Sequence, residues 1–395
     1  MAYETDPSTN LRAREFFHGK MGRHLSRREL RESFATYAFG LLGEGDRKSV
    51  EPIAARAFSD PVDVERCQAR LLHFLRDSPW SDRDVRRTAA LHAIEAMQES
   101  APADLIIFDD TGFLKQGKHS VGVQRQYTGS AGKIENCQIG VSLVVSNGKE
   151  HLPIDFELYL PAEWLDAPKR RKSARIPEEL AFKTKPELAL DMLARAMADG
   201  IPGKIVLADS AYGDSSAFRD AVRAYGLEYA VGIKSPTLVW LLDQNGEPER
   251  IVSARELAKE LGPQDFRVIP WRTGTKGKLS SRFYFCRVKP VRGAGELQEK
   301  DALWLGMEWP EGASEPTKYF LTTLPRHMTK KNIIRILKER WRTEKVYEEL
   351  KEELGLDHFE GRSFPGWHHH VSVVICCYAF VVVERMRHFP PSAGR

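Results

Sequence analysis

The spacing of hydrophobic positions divides the chain into regions with different predicted structure. Over the first hundred residues, apolar side chains recur at helical spacing, as in residues 23–42 and 63–77. Ser81 or Asp82 follows a break in this pattern and is placed to cap the next helix. We therefore expect a helical N-terminal domain. Its many arginines suit a domain that binds DNA ends or mediates dimerisation, and they equally suit a helical bundle with a solvated surface.

Beyond residue 100 the pattern becomes one of strands that alternate with helices. The segments LIIFDD, KIVLAD and EYAVGIK are short apolar runs typical of buried strands. Asn147-Gly148, a strong hairpin signal, interrupts a long strand-like stretch. Hairpin strands followed by alternating helices and strands predict an α/β fold, in which helices cover a mixed sheet. Turns and short strands dominate the segment that follows, which predicts a β-rich insertion.

The last part of the chain is predicted to be helical again. A long helix is expected from about Lys330 to Leu354, with Thr329 as its N-cap and Gly355 as its stop. The apolar run Val371–Val383 is too short for the ~20 residues that span a bilayer, so we expect a buried helix. The predicted boundaries are 1–100 for the N-terminal domain, 101–234 and 319–385 for the two parts of the core, 235–318 for the insertion and 386–395 for a tail.

Composition narrows the class of protein only slightly. The 395 residues carry a formal net charge of +4, which is too small to demonstrate nucleic-acid binding. The five cysteines are scattered without a zinc-type pair, and the N-terminus has no apolar signal core. We expect a reduced, cytoplasmic protein. The GSAGK stretch has the wrong spacing for a phosphate-binding loop, so no nucleotide cofactor is implied.

Acidic residues follow two of the predicted buried strands. LIIFDD ends with Asp109 and Asp110, and KIVLAD ends with Asp209. Carboxylates at the ends of neighbouring strands can hold two Mg²⁺ ions roughly 3.5–4 Å apart, the arrangement used in phosphodiester chemistry. An aspartate after a strand also commonly caps a turn, so each position has a simpler structural explanation.

The third carboxylate comes from the long predicted helix. Arg340, Glu344 and Lys351 share one narrow face beside an apolar stripe that includes Tyr347 and Leu350. Glu344 then lies at the edge of the buried face, between two cations. A surface salt bridge would explain the same spacing, and Glu348 is a rival carboxylate.

Taken together, these blocks resemble the catalytic blocks of bacterial insertion-sequence transposases of the DDE class. The resemblance lies in Asp-Thr-Gly after the first strand, in LADSAYGD, and in RWRTEKVYEELKEELGLDHFEGRS. The helix is similar to that of the branch with a Tyr-x2-Arg-x3-Glu-x6-Lys motif, although Leu337 stands at the tyrosine position. LLGEGDRKSVEPIA and the stretch from Asp109 to Leu143 extend the likeness over most of the chain. The family's fold is an RNase H-like core with a β insertion.

The resemblance implies a metal-dependent enzyme that binds insertion-sequence ends, cleaves them and joins the 3′-OH to target DNA. It assigns catalysis and metal binding to Asp110, Asp209 and Glu344, with two Mg²⁺ ions that Mn²⁺ can replace. Asp110 is chosen over Asp109 because the family's acid directly precedes the threonine; strand geometry alone leaves both open. It also implies double-stranded DNA as partner, a homodimer on the DNA, and a bacterial, nucleoid-associated location.

Basic and aromatic residues supply candidate DNA contacts. Some relatives hold a flipped base on a tryptophan of the insertion, but core burial explains a tryptophan more often than base stacking does. The candidates for phosphate contact are Arg340, Arg342, Lys351, Lys115, Lys118, Arg125 and Lys133, with Lys169–Lys172 as a second basic group; the base-stacking candidates are Trp271, Trp304 and Trp309. His368, His369 and His370 are expected at the start of a packed helix rather than around a metal.

Two other functions fit some of the same residues. A transposase-derived regulator would bind DNA without cutting it, and a test for nicks with Mn²⁺ separates it from a nuclease. A glycosidase would use two of the acids across a sugar-sized cleft. The basic stretches argue against a neutral sugar as substrate.

Overall fold

The N-terminal hundred residues form a group of helices, as the apolar spacing predicts. The computed structural model describes residues 7–274, 277–292, 296–297 and 302–388. Ser81 caps the fifth helix by accepting a hydrogen bond from the backbone amide of Asp84 at 3.1 Å, so the predicted helix start is confirmed. The helices are α1 (Pro7–Arg14), α2 (Arg28–Leu42), α3 (Val50–Ala57), α4 (Pro61–Arg76) and α5 (Asp82–Gln98), with tighter or wider turns over Glu15–Met21 and Gly22–His24.

Strands and helices then alternate in the predicted order. The Asn147-Gly148 hairpin is confirmed, because Gly148 adopts a φ of +77° in the turn between two long strands. Thr184 caps the helix Lys185–Ala198 in a reciprocal pair with Glu187. The elements are β1 (Leu105–Leu114), β2 (Gln124–Thr128), β3 (Lys133–Ser146), β4 (His151–Tyr159), α6 (Ala162–Leu165), α7 (Pro168–Ser173), α8 (Lys185–Ala198), β5 (Ile205–Ala208), α9 (Ser210–Gly213), α10 (Ser216–Ala224) and β6 (Glu228–Ile233).

The segment predicted as a β-rich insertion consists mainly of strands, with one short helix. Its elements are β7 (Leu238–Leu242), β8 (Pro248–Ser253), α11 (Ala254–Glu260), β9 (Arg267–Gly274), β10 (Gly277–Arg292), β11 (Glu296–Leu297) and β12 (Leu303–Trp309). The chain returns to the core through β13 (Lys318–Thr322) and ends in α12 (Lys330–Glu339), α13 (Arg342–Glu352) and α14 (Phe364–His388). Of the predicted tail 386–395, only the first three residues are described, and these belong to α14.

One mixed sheet runs through both the core and the insertion. Its strands follow the order β2-β3-β1-β5-β6-β13-β12-β10-β7-β8, with β4 beside β3 and β9 beside β10. The pairs β1–β5 and β5–β6 are parallel, whereas β13 joins β6 in antiparallel orientation. The insertion is therefore an extension of the core sheet.

Helix α14 forms the centre of the core on one side of the sheet. It packs against α5, α2, α4 and β4, so the N-terminal helices and the sheet share one hydrophobic core. In the part of the chain that the structure describes, α14 alone is long and apolar enough to cross a membrane, but its side chains are almost entirely buried in the protein. The prediction of a buried helix at Val371–Val383 is thus confirmed.

Two predicted elements differ from the structure. The first strand does not end at Asp109 and Asp110, because residues Asp110–Leu114 continue to pair with Val141–Cys137 of β3. The helix predicted over 330–354 is broken at Arg340 and Trp341, where the amides of Thr343 and Glu344 bond three residues back rather than four. Thr329 does cap α12, and Gly355, with a φ of +64°, follows the end of α13.

Candidate active site

The parallel pairing of β1 and β5 brings the predicted acids of the two strands together. Phe108 lies opposite Ala208 in the last residue pair of this ladder. Asp109 and Asp110 therefore follow on one strand, directly beside Asp209 on the other. Asp209 caps the short helix α9, and its carboxylate accepts a hydrogen bond from the amide of Ala211 at 2.8 Å.

The guanidinium of Arg340 is surrounded by acids. It forms an ion pair with Asp109, and its Nη2 lies 3.7 Å from Oε1 of Glu344. Burial disfavours the charge of Arg340, but Asp109, Asp209 and Glu344 outweigh that effect and raise its pKa. Burial, together with the nearby charge of Asp209, raises the pKa of Asp109 to about 7 even though Arg340 opposes the rise. The break between α12 and α13 thus places one cation at the meeting point of three carboxylates.

Asp110 has a different environment from Asp109, since neighbouring residues of a strand face opposite sides. Its Oδ2 accepts a hydrogen bond from Nζ of Lys185 at 2.9 Å and lies 3.5 Å from the hydroxyl of Tyr212. Lys185 is the first residue of α8, and nothing in its sequence context marked it as a site residue. The ion pair with Asp110 makes it a new candidate.

All of these acids line a single cleft of about 630 Å³. Asp110, Asp209 and Glu344 are among its lining residues, and so are Asp109 and Glu348. The side chain of Glu344 is 64% exposed, so it reaches into the open part of the cleft. Over the described residues, no three acidic, histidine or cysteine side chains are grouped closely enough to hold a metal ion. The carboxylate oxygens are the right type of donor for Mg²⁺. Two of these carboxylates are paired within the protein, Asp109 with Arg340 and Asp110 with Lys185.

Besides Arg340, three further predicted DNA contacts bond to other groups of the protein. Nζ of Lys115 donates to the carbonyl oxygens of Asp357 at 3.2 Å and Phe359 at 2.8 Å, so its charge stabilises the loop after α13. Arg342 donates to the carbonyl oxygen of Gly148 at 2.8 Å. Lys351 lines the cleft and donates to the carbonyl oxygen of Gly112 at 2.8 Å and to Ser130 at 3.1 Å. Burial lowers the pKa values of Lys115 and Lys351.

The other basic candidates lie on the protein surface. Lys118 and Arg125 are exposed, and Lys133 is exposed but pairs with Glu135 at 3.0 Å. The group Lys169–Lys172 belongs to helix α7; within it, Arg170 lies over the ring of Trp164 and Arg171 donates to backbone carbonyls. The structure therefore leaves Lys118, Arg125, Lys169 and Lys172 as accessible cations of this set.

The tryptophans predicted to stack on bases have partners inside the protein. Trp271 packs edge-on against Phe283, and Trp309 donates to the carbonyl oxygen of Ala313 at 2.8 Å. Trp304 is half-buried beneath Lys330 and Arg287. Trp341 is 38% exposed, with Arg272 over its ring, and lines a second cleft of about 780 Å³, which shares Asp209 and Arg340 with the first. Trp341 was not among the predicted site residues, although it directly follows Arg340 in the sequence.

The histidines and cysteines near the C-terminus belong to the core. His368, His369 and His370 are buried on the first turns of α14, as predicted. The ring of His369 stacks on Trp80 with centroids 4.1 Å apart, and Nε2 of His370 lies 3.1 Å from the carbonyl oxygen of Leu356. All five cysteines are free thiols.

Similarity to known proteins identifies the family. A family model described as DDE superfamily endonuclease matches residues 20–278, and one described as transposase DDE domain matches residues 184–380. The chain belongs to the DDE superfamily of endonucleases. It is also 32% identical over 212 residues to the probable transposase for insertion sequence element IS701 of Microchaete diplosiphon. That match covers 53% of this chain and 51% of the relative, so the chain spans about half the length of the relative that it matches.

Membership of the DDE superfamily confirms the predicted fold class. The mixed sheet with its parallel β1–β5–β6 unit and covering helices is the RNase H-like core that the resemblance implied. The superfamily is one of nucleases that generally use divalent metals, and its transposases act on DNA. Family membership also argues against the glycosidase alternative.

Proposed function

We propose that this DDE superfamily protein is a transposase that cuts the DNA ends of an insertion sequence and joins the freed 3′-OH to target DNA. The observation that carries the proposal is the acidic cleft. It collects Asp110 from β1, Asp209 from the end of β5 and Glu344 from α13, which are the elements that the family resemblance assigned to catalysis. The match to a probable insertion-sequence transposase supports the same reaction.

The three acids would hold two Mg²⁺ ions in this proposal. When bound, the ions supply positive charge that activates the attacking oxygen and stabilises the negative charge on the leaving oxygen. Asp109 is the rival of Asp110 for this role, because it shares the Arg340 guanidinium with Glu344. Arg340 and Lys185 neutralise the carboxylates in the protein alone, and both can turn towards a phosphate of the DNA when it enters the cleft.

The surface next to the cleft provides the DNA contacts of the proposal. Lys118 and Arg125 are exposed, Arg125 lies two residues before the cleft-lining Tyr127, and Lys351 lines the cleft itself. Each phosphate that such a cation neutralises releases counterions, so DNA binding is expected to weaken as the salt concentration rises. A homodimer bound to the two ends of the insertion sequence would bring two such clefts to one target DNA.

The test is a cleavage assay on labelled duplexes that carry the inverted ends found beside the gene. Asp110→Asn, Asp209→Asn and Glu344→Gln should each abolish Mg²⁺-dependent cleavage and strand joining while DNA binding persists. Glu348→Gln is the matched control, because Glu348 lines the same cleft and pairs with Lys345 at 2.6 Å, and it should retain activity.

The same assay decides between the two aspartates of β1. Loss of cleavage in Asp109→Asn with retained cleavage in Asp110→Asn would reassign the first acid. Retained cleavage in Asp209→Asn, in Glu344→Gln, or in both Asp109→Asn and Asp110→Asn would refute the proposal.

A second candidate is a regulator that binds DNA ends without cutting them. The observation that favours it is that Glu344 is 64% exposed and that, among the described residues, no three acidic, histidine or cysteine side chains are grouped closely enough to hold a metal ion. Incubation of the protein with end DNA and Mn²⁺ distinguishes the two. Nicks support the transposase, and binding without nicks supports the regulator.

A further inference from the structure

The hairpin formed by β2 and β3 presents an apolar pair to solvent at the edge of the sheet. Tyr127 and Ile134 lie opposite each other in the ladder, and they are 64% and 57% exposed. Arg125 lies two residues before Tyr127 and therefore on the same face of the hairpin, and it is also exposed. An aromatic ring, an aliphatic support and a cation thus share one accessible surface.

This surface borders the acidic cleft. Tyr127, Gly129 and Ser130 line the cleft together with the candidate catalytic acids. The exposed side chain of Tyr127 is therefore part of the wall of the cleft that holds the candidate catalytic acids.

The tip of the hairpin is fixed in this position. Oγ of Ser130 accepts hydrogen bonds from Nζ of Lys351 at 3.1 Å and from the amide of Gly112 at 3.3 Å, which ties the tip to α13 and to β1. Gly112 also allows Thr128 to approach the backbone of β1, because a Cβ at that position would lie 1.9 Å from Oγ1 of Thr128. The backbone that carries Tyr127 is therefore held in place, so little backbone freedom is lost when a ligand binds there.

We propose that Tyr127, supported by Ile134, is a platform on which a nucleobase stacks where the DNA strand leaves the acidic cleft. Arg125 on the same face would contact the adjoining phosphate. The inference rests on the proposed function, since it requires DNA in that cleft. Every base has a flat π face, so stacking on an aromatic side chain beside a cation suits a site that holds unpaired nucleotides of varied sequence.

The experiment uses the full chain with Asp209→Asn, so that the DNA is bound without being cut. The probe is a duplex with a short single-stranded extension that carries 5-iododeoxyuridine. Irradiation followed by mass spectrometry should identify Tyr127 as a crosslinked residue. Tyr127→Ala should weaken binding of the extended duplex by about 5- to 150-fold, which is the usual effect of removing one stacking side chain, and should change binding of the blunt duplex much less.

Two variants serve as controls. Tyr127→Phe keeps the ring and should bind the extended duplex within about twofold of the parent protein, given that stacking uses the ring face. Tyr225→Ala removes another exposed tyrosine, which is 45% exposed and lies outside both clefts, and it should leave binding unchanged.

The outcomes separate this inference from the proposed function. DNA binding with crosslinks elsewhere and an unaffected Tyr127→Ala variant would overturn the platform and leave the transposase proposal intact. Absence of DNA binding in the parent protein would overturn both. If Tyr127→Ala instead dissociates a dimer and binds the probe normally, the surface is an interface between two copies and the inference is wrong.

Discussion

The buried guanidinium of Arg86 offers the clearest test of how the N-terminal helices are joined to the core. Its Nη1 forms an ion pair with Asp82 on α5 and donates to Ser372 of α14 at 2.7 Å. Its Nε lies 3.2 Å from Asp155 of β4, and the side chain is only 5% exposed. Arg86→Met keeps most of the aliphatic stem and removes the charge.

The expected loss follows from what remains around the site. Removing one partner of a buried ion pair costs about 3–5 kcal/mol, because the other charge is left uncompensated. Asp155 still has Arg195 at 2.8 Å, and Asp82 is 27% exposed and can be rehydrated. We therefore expect the lower end, about 3 kcal/mol, or about a 150-fold change in the folding equilibrium constant.

The assay is urea unfolding followed by circular dichroism, with Arg87→Met as the matched control. Arg87 is the next residue of α5 and pairs with Asp199 at 2.9 Å, but its side chain is 47% exposed. A solvent-exposed pair contributes about 0–1 kcal/mol. If Arg86→Met lowers the free energy of unfolding no more than Arg87→Met does, the assigned role of the buried network is incorrect.

Two further predictions follow from buried groups. Lys115→Met should lower the free energy of unfolding by about 2 kcal/mol, because two carbonyl oxygens lose their donor. Lys118→Met should leave stability unchanged and weaken DNA binding at low salt. Equal effects of the two variants on DNA affinity would contradict the assignment of Lys115 to stability and Lys118 to DNA binding. Burial lowers the pKa values of His151 and His370 to about 4, below the unfolded value near 6.5. Unfolding experiments should therefore show stability that is present above pH ~6.5 and is lost as the pH falls towards 4. His370→Gln should reduce that loss, and an unchanged pH profile of this variant would contradict the role of His370.

The sequence predicted those features that depend on local periodicity and turn chemistry. The order of strands and helices around Asp110 and Asp209, the hairpin at Asn147-Gly148 and the N-cap at Thr329 all arise from interactions within a few residues. The buried helix at Val371–Val383 also follows from its composition alone. Such features are visible in a single sequence because the signal and the structure occupy the same stretch of chain.

Features that depend on distant contacts were not predicted. The length of β1 depends on its pairing with β3, which carries the strand past Asp109 and Asp110. The ion pair of Asp110 with Lys185 joins residues 75 positions apart, and no local pattern indicates it. Lys115 is basic and close to the first acids in sequence, yet the fold directs its ammonium to the carbonyl of Phe359. Charge in a sequence shows which groups are available, and tertiary packing decides which of them reach a ligand.

The insertion and the core share a single ladder of backbone hydrogen bonds through β6, β13, β12 and β10. A hinge between them would have to break several of these bonds at once, so the insertion cannot swing as a separate lid. Force applied to β10 or β12 by a bound duplex would instead pass across β13 and β6 to β5, the strand that carries Asp209 at its end. Movement during the reaction is therefore expected in side chains and in the break between α12 and α13, on a scaffold that stays rigid.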